Sequence, residues 1–391
     1  TVVVDGDRIV AVGPAGEVEV PEGATVIDGN GRFVIPGLAE MHGHIPPPSS
    51  SDEYIRNVLF LYVANGVTTV RGMLGHDGQL DLKRKVFASQ ILGPALYLAG
   101  PSFNGNSVRT PDEAEAKVRR QAAEGWDLLK IHPGMSRASY DRMAETAHEL
   151  GMRFAGHVPQ DVGLLRALEM GQETFDHLDG YIEYLGAAER EIGEDELRDV
   201  ARKTIEANAQ VVPTMALWEY LWGVADGDEL AAYDELRYMP RSEVESWSSR
   251  YRQRLSQVDV PVSERVIETR MRLLGVLQDE GAGILFGTDA PQLYSVPGFS
   301  IHRETRRMVD AGLTPYEILV SATRGVGEYF SNEDDFGTIA VGQRADLVVL
   351  SADPLTDVGA LRAVEGVVLR GTWLSGEEIR SRLDAIEKSY R

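Results

Sequence analysis

Cysteine is absent from the 391 residues, which excludes a disulfide framework and thiolate metal ligands and leaves any bound cation to nitrogen and oxygen donors. Basic charge is also short, with 39 Lys and Arg against 61 Asp and Glu and a net charge of −22. Without a basic excess or a Lys/Arg-rich block there is nothing to neutralise phosphates, so no nucleic-acid partner is expected. No apolar run reaches the roughly 18 residues of a spanning helix and no signal peptide is evident, so no membrane partner is expected. Thr1 runs directly into the strand-like Val2-Val3-Val4, as though the natural start were missing. A cytoplasmic location is expected, with a removed leader and secretion left open. Lysine is scarce too, at Lys83, Lys85, Lys117, Lys130, Lys203 and Lys388 only. A lysine inside an apolar run therefore asks for an explanation.

What is present divides by texture. Residues 1–36 read as short strands with turns between them: Thr1 to Val4, Arg8 to Val12, Val18 to Val20 and Thr25 to Ile27. From Phe33 onward, apolar strand-like runs alternate with polar segments of helical period, the pattern of βα units around a parallel sheet. Eight such runs are expected as strands: Phe33 to His44, Thr68 to Leu74, Ala95 to Gly100, Leu128 to His132, Arg153 to Val158, Thr174 to Leu178, Val211 to Met215 and Gly283 to Asp289. Helices are expected at Pro111 to Glu124, which starts on proline with an acidic first turn, and at Ser136 to Leu150, which stops before Gly151. Eight strands with helical crossovers point to an α/β fold, a (β/α)8 TIM-like barrel, over residues 37–336. The competing doubly wound sheet lacks a glycine-rich dinucleotide loop after its first strand. Strand texture returns over residues 337–391, before a charged terminal helix. Both chain ends are therefore expected to build one small β-sandwich beside the barrel. An aromatic stretch after the seventh strand, about 217–261, holds Trp218, Trp222 and Trp247. It reads either as a wall of the site or as the core of an inserted helical hairpin.

Chemistry in such barrels sits at the C-terminal ends of the strands. There the first strand carries His42 and His44, two residues apart and so on one face, while the fourth carries Lys130, the fifth His157, the sixth His177 and the eighth Asp289. A lone His-x-His says little, but four imidazoles, a carboxylate and a lysine on five strands form a specific constellation. Lys130 lies in Leu128-Leu129-Lys130-Ile131, where a hydrated ammonium is costly unless it changes state or pairs with a carboxylate such as Asp289. Made neutral, its amine could add carbon dioxide and become an anionic oxygen ligand.

These motifs resemble the amidohydrolase superfamily, in the branch of imidazolonepropionases and prolidase-like carboxypeptidases. The likeness rests on Pro36-Gly37-Leu38-Ala39-Glu40-Met41-His42-Gly43-His44, Leu129-Lys130-Ile131, Ala155-Gly156-His157-Val158, Phe175-Asp176-His177-Leu178, Gly287-Thr288-Asp289-Ala290, and Gly337 to Val348. It implies that His42, His44 and Asp289 hold one divalent metal, that His157 and His177 hold a second, and that N6-carboxylated Lys130 bridges them. Zinc is the ion expected, and a one-metal form stays open because related subtypes keep similar ligands. Asp289 would be the catalytic proton carrier. The implied reaction is hydrolysis of a C–N bond, amide or dipeptide-like, in Xaa-Pro or N-acyl amino acid substrates. The alternatives are ring opening of a cyclic amide or lactone and, in another class, a non-catalytic barrel scaffold. A small-molecule substrate and a homo-oligomer are the expected partners. Barrel position alone nominates His132, His76, Arg71, Tyr97 and His302 as substrate contacts.

Overall fold

The computed structural model describes residues 1–391. Strands β1 (Val2–Asp5) and β2 (Arg8–Val12) form an antiparallel hairpin. The strands expected at Val18 to Val20 and Thr25 to Ile27 do not form, and Val20 and Val26 are exposed. Apolar side chains favour a strand where a neighbouring strand and a buried face receive them, and here neither is available. The first barrel strand also needs correction. The run from Phe33 is two strands, β3 (Phe33–Pro36) and β4 (Leu38–Gly43), belonging to different sheets. The break falls at Gly37, where a Cβ would fall on the Thr68 side chain.

Seven further strands follow β4 in parallel register: β5 (Val67–Gly72), β6 (Ala95–Leu98), β7 (Leu128–Ile131), β8 (Arg153–Gly156), β9 (Thr174–Asp176), β10 (Gln210–Val212) and β11 (Gly283–Ile284). They make one ladder of three, β4-β5-β6, and one of five, β7 to β11. Backbone hydrogen bonds join the ladders on one side, where Gly100 N–H donates to Leu128 O at 3.0 Å and Phe103 N–H to Lys130 O at 2.8 Å. On the other side Met41 N–H donates to Phe286 O at 2.8 Å, Asp289 N–H to His42 O at 2.8 Å and His44 N–H to Ala290 O at 2.7 Å. The arrangement is a parallel α/β fold of the TIM-barrel type. Its second seam brings Asp289 beside the two histidines of β4.

The connecting helices begin and end where local chemistry directs. The helix Pro111–Glu124 has Thr110 as N-cap in a capping box with Glu113 and stops at left-handed Gly125, and Arg137–Leu150 is capped by Ser136 and stops at Gly151. After the eight-strand region, β12 (Leu347–Leu350), β13 (Val364–Leu369) and β14 (Thr372–Ser375) form an antiparallel sheet with β3 in the order β14-β13-β12-β3. The hairpin of β1 and β2 touches the segment before β12 through Ile9 N–H to Gln343 O, 2.9 Å. The aromatic insertion is helical, and Tyr220, Trp247 and Tyr251 lie in an apolar cluster with Phe60, Leu374 and Ile379. No helix is long and apolar enough to cross a membrane.

Candidate metal centre

Residues two apart on a strand face one way, and β4 uses this to present Glu40 and His42 on one face, with His44 continuing the series. All the nominated ligand residues come together at the ends of the strands. The Asp289 carboxylate is the meeting point: Oδ1 lies 2.5 Å from His44 Nε2 and 3.6 Å from His42 Nε2, and Oδ2 lies 3.6 Å from His177 Nε2. Lys130 Nζ is 3.2 Å from His42 Nε2. The His157 ring centroid lies 4.6 Å from that of His177. Among these, His42, His177 and Asp289 bring one ligand atom each within 4.8 Å of one another.

Neighbouring groups fix which ring nitrogen stays free. His157 Nδ1 is 2.6 Å from Asp179 Oδ2, His177 Nδ1 is 2.7 Å from Thr214 Oγ1, and His42 Nδ1 is 2.8 Å from Asp176 Oδ2. A carboxylate can only accept, so Asp179 holds the protonated Nδ1 of His157 and directs its Nε2 inward, as metal-binding histidines require, while His42 Nδ1 and Asp176 Oδ2 touch without hydrogen-bond geometry. His177 Nε2 is buried with no hydrogen-bond partner, an orphan that a cation would satisfy. Burial, reinforced by the surrounding imidazoles and the Lys130 charge, holds His42 and His177 well below the usual imidazole range. They are therefore neutral donors at neutral pH. Burial also lowers Lys130, against the pull of Asp176 and Asp289. This donor set fits a divalent cation.

The backbone at the site is held out of its ordinary range. His177, Leu178, Thr214 and Asp289 take φ of 65, 53, 46 and 64°, at a cost of order 1–3 kcal/mol each for residues with a Cβ. Gly156, just before His157, takes φ +127° and an added Cβ would meet Ile131 O at 2.5 Å and Lys130 Cδ at 3.0 Å, so glycine is what lets β8 approach β7 there.

Sequence reasoning passed over the second layer. Glu40 is fully buried and accepts from His42 N–H (2.9 Å), Thr288 N–H (2.8 Å) and Thr288 Oγ1 (2.6 Å), tying β4 to the residue before Asp289. Burial pushes its carboxyl up to about 7. Asp176 accepts from Thr174 and Arg71 and reaches His42. Both lie within the quoted motifs, and the available signal was a charged residue inside an apolar strand.

The nominated substrate contacts separate into two groups. His132 stacks on His157 with centroids 4.9 Å apart, and burial pulls its pKa down to about 2. His76, on the loop after β5, is partly exposed, and burial holds it below the usual imidazole range. The other three are directed elsewhere. Arg71 is completely buried, and its Nε, Nη1 and Nη2 all donate to protein oxygens. Tyr97 stacks on Phe330 at 3.9 Å in a separate apolar cluster with Phe336. His302 is buried against Asn65, with Nε2 3.3 Å from Asn65 Oδ1. From the aromatic insertion, Trp218 does reach the site: its ring lies 5.9 Å from that of His177.

Residues 33–374 match the model of the Amidohydrolase family. The chain belongs to the amidohydrolase family. Within that family it is 24% identical over 422 residues to an imidazolonepropionase from Streptomyces griseus subsp. griseus, covering 97% of this chain and 92% of that protein. It is 23% identical over 391 residues to adenine deaminase 3 of Rhizobium meliloti, covering 95% of this chain but spanning only 53% of the deaminase. Similar solved structures include a putative prolidase from Bifidobacterium longum, with TM-score 0.71, 24% identity, and 100% and 93% of the two chains covered. A bottromycin amidohydrolase superposes with TM-score 0.76 and 23% identity over 100% and 85%. At such identities the structural likeness speaks for the amidohydrolase fold.

Proposed function

We propose that this chain is a metal-dependent amidohydrolase that cleaves a C–N bond, amide or dipeptide-like, in a small substrate. The observation carrying this reading is the meeting of three Nε2 atoms on the two oxygens of Asp289, with Lys130 at 3.2 Å from one of them. The barrel of residues 37–336 would be the catalytic unit, and residues 1–36 and 337–391 the β-sandwich beside it. His42, His44 and Asp289 would hold one ion and His157 and His177 a second, zinc in both cases, with carboxylated Lys130 between them. The lowered Lys130 pKa supports that role, because it is the neutral amine that reacts with carbon dioxide.

A divalent metal supplies Lewis acidity toward a carbonyl and makes bound water more acidic. The remaining work belongs to side chains. Asp289 accepts the proton of the attacking water and returns it to the leaving nitrogen. Asp179 and Thr214 keep the imidazoles of His157 and His177 in one orientation, which preorganises the site. His132, stacked on His157, and His76 are the side chains this reading assigns to substrate contact, with Trp218 beside His177.

Imidazolonepropionase, matched over 92% of its length, supports a second reading in which the same groups open a cyclic amide. A panel of N-acyl amino acids, Xaa-Pro dipeptides, cyclic imides and lactones tests both, with chelator treatment and zinc restoration as controls. Turnover of the linear amides, lost with chelator and regained with zinc, is expected. Restored turnover of the cyclic substrates alone would favour ring opening, and no chelator-sensitive turnover of any of them would overturn the hydrolase reading.

A further inference from the structure

One buried guanidinium, that of Arg270, stands beside Trp218 without hydrogen-bond partners for two of its nitrogens. Arg270, on the helix Val260–Glu280, is 2% exposed, yet its Nε and Nη2 have no hydrogen-bond partner. Unpartnered buried charge is among the costlier features a fold can carry. The acidic groups whose charge reaches it are Asp179, Glu183 and Glu304, and each is engaged elsewhere. Asp179 holds His157, Glu183 accepts from Gly180 N–H at 2.9 Å, and Glu304 accepts from Met215 and Ala216 N–H at 2.8 and 2.9 Å. Burial pulls Arg270 down only to about 10, so it is cationic at neutral pH.

Its position ties this charge to the metal centre. The guanidinium carbon stands 4.3 Å from the Trp218 ring, and the same ring stands 5.9 Å from the His177 ring. The indole holds the guanidinium plane by a cation–π contact, as an aromatic platform does for an arginine whose polar edge must stay available. One indole therefore lies against both the Arg270 guanidinium and the His177 imidazole.

We infer that Arg270, steadied by Trp218, binds a carboxylate of the substrate on the Trp218 side of the bond being cut, and so selects amides that carry a free acid. This rests on the hydrolase reading for the position of the bond. The anion site itself does not require turnover. A fork of two free N–H groups suits a carboxylate, and charge-assisted bonds of this kind are about twice as strong as neutral ones. Arg270 is then a specificity residue that leaves the chemistry to the metal centre.

The test is binding of uncleavable probes to the zinc-reconstituted protein: N-methylsulfonyl glycine, leucine and proline, each as free acid and as carboxamide, followed by titration calorimetry. Wild-type protein is expected to bind at least one acid tenfold or more tightly than its carboxamide. In Arg270→Met this preference is expected to fall below threefold, and in Arg270→Lys, which keeps the charge without the fork, to be intermediate. Equal affinity for acid and carboxamide in the wild type, no measurable binding of any acid, or an undiminished preference in Arg270→Met would each overturn the inference. Should Arg270→Met not fold, the wild-type preference and the Arg270→Lys value decide, an unchanged preference in the lysine variant counting against a forked contact. The substrate panel is run alongside. An acid preference that vanishes without Arg270, in a protein with no chelator-sensitive turnover, would keep the anion site and discard the hydrolase reading.

Discussion

Arg71→Met removes the cation paired with buried Asp176 while keeping a side chain of comparable bulk. In the fold Arg71 Nε donates to Met41 O at 2.7 Å, Nη1 to Tyr329 Oη at 3.1 Å, and Nη2 to Thr174 Oγ1 and Asp176 Oδ1 at 3.1 and 3.2 Å. Both members of the Arg71–Asp176 pair are 0% exposed. Burial alone would raise the Asp176 carboxyl, but Arg71 and then Lys130 outweigh it and hold it below the usual range. Taking away one partner of such a pair leaves an uncompensated buried charge and costs about 3–5 kcal/mol. With an unfolding entropy of about 2.1 cal/mol/K per residue, a chain of 391 residues should lose about 4–6 °C in Tm. The assay is scanning calorimetry of the metal-free variant, with Asp176→Asn and the double variant completing a thermodynamic cycle. The double variant should be less destabilised than the sum of the singles, because it no longer buries an unpaired carboxylate. A shift under 1 °C, or strictly additive singles, would refute the reasoning that Arg71 serves as the counter-ion of Asp176.

Three further outcomes follow from the same geometry. Thr214→Val removes the hydroxyl at 2.7 Å from His177 Nδ1 and should weaken zinc about 10–100-fold in chelator competition, the usual effect of losing an orienting partner; unchanged affinity would count against that role. Gly156→Ala places a Cβ 2.5 Å from Ile131 O at φ +127° and should cost more than about 1 kcal/mol in a denaturant titration, along with part of the bound metal. Burial raises the Glu304 carboxyl from 4.5 to about 7, so the folded state holds its proton where the unfolded state has released it. Its stabilising contribution is fully present below pH 4.5 and is lost as pH rises toward 7, by about 3 kcal/mol. Glu304→Gln should flatten that slope between pH 5 and 7.5, and an unchanged slope in denaturant midpoints would contradict it.

The strand ends were legible because imidazole, amine and carboxylate groups there stand out chemically against apolar runs. His42, His44, Lys130, His157, His177 and Asp289 are found together for that reason. Helix ends were equally readable at Pro111 and before Gly151, where the terminating chemistry is local. What could not be read depends on contacts between distant segments. The break at Gly37 follows from Thr68 and from β12 claiming β3, neither of which is marked in the run itself. Val18 to Val20 and Thr25 to Ile27 have strand composition but no sheet to join. Arg71 and Tyr97 lie near strand ends in sequence and His302 opens a helix after the eighth strand, yet their side chains are taken up by Asp176, Phe330 and Asn65. The converse holds for Arg270, which looks in sequence like one more arginine of a polar helix and becomes notable only when its burial and lack of partners are known.

Quantitative metal analysis of the zinc-reconstituted chain bears most directly on the centre as a whole. Two equivalents per chain are expected for the wild type, falling to one or fewer in Lys130→Ala and in His157→Ala, with turnover of linear amides falling in step. One equivalent in the fully loaded wild type would contradict the bridged pair, and no bound zinc at all would contradict the metal centre itself.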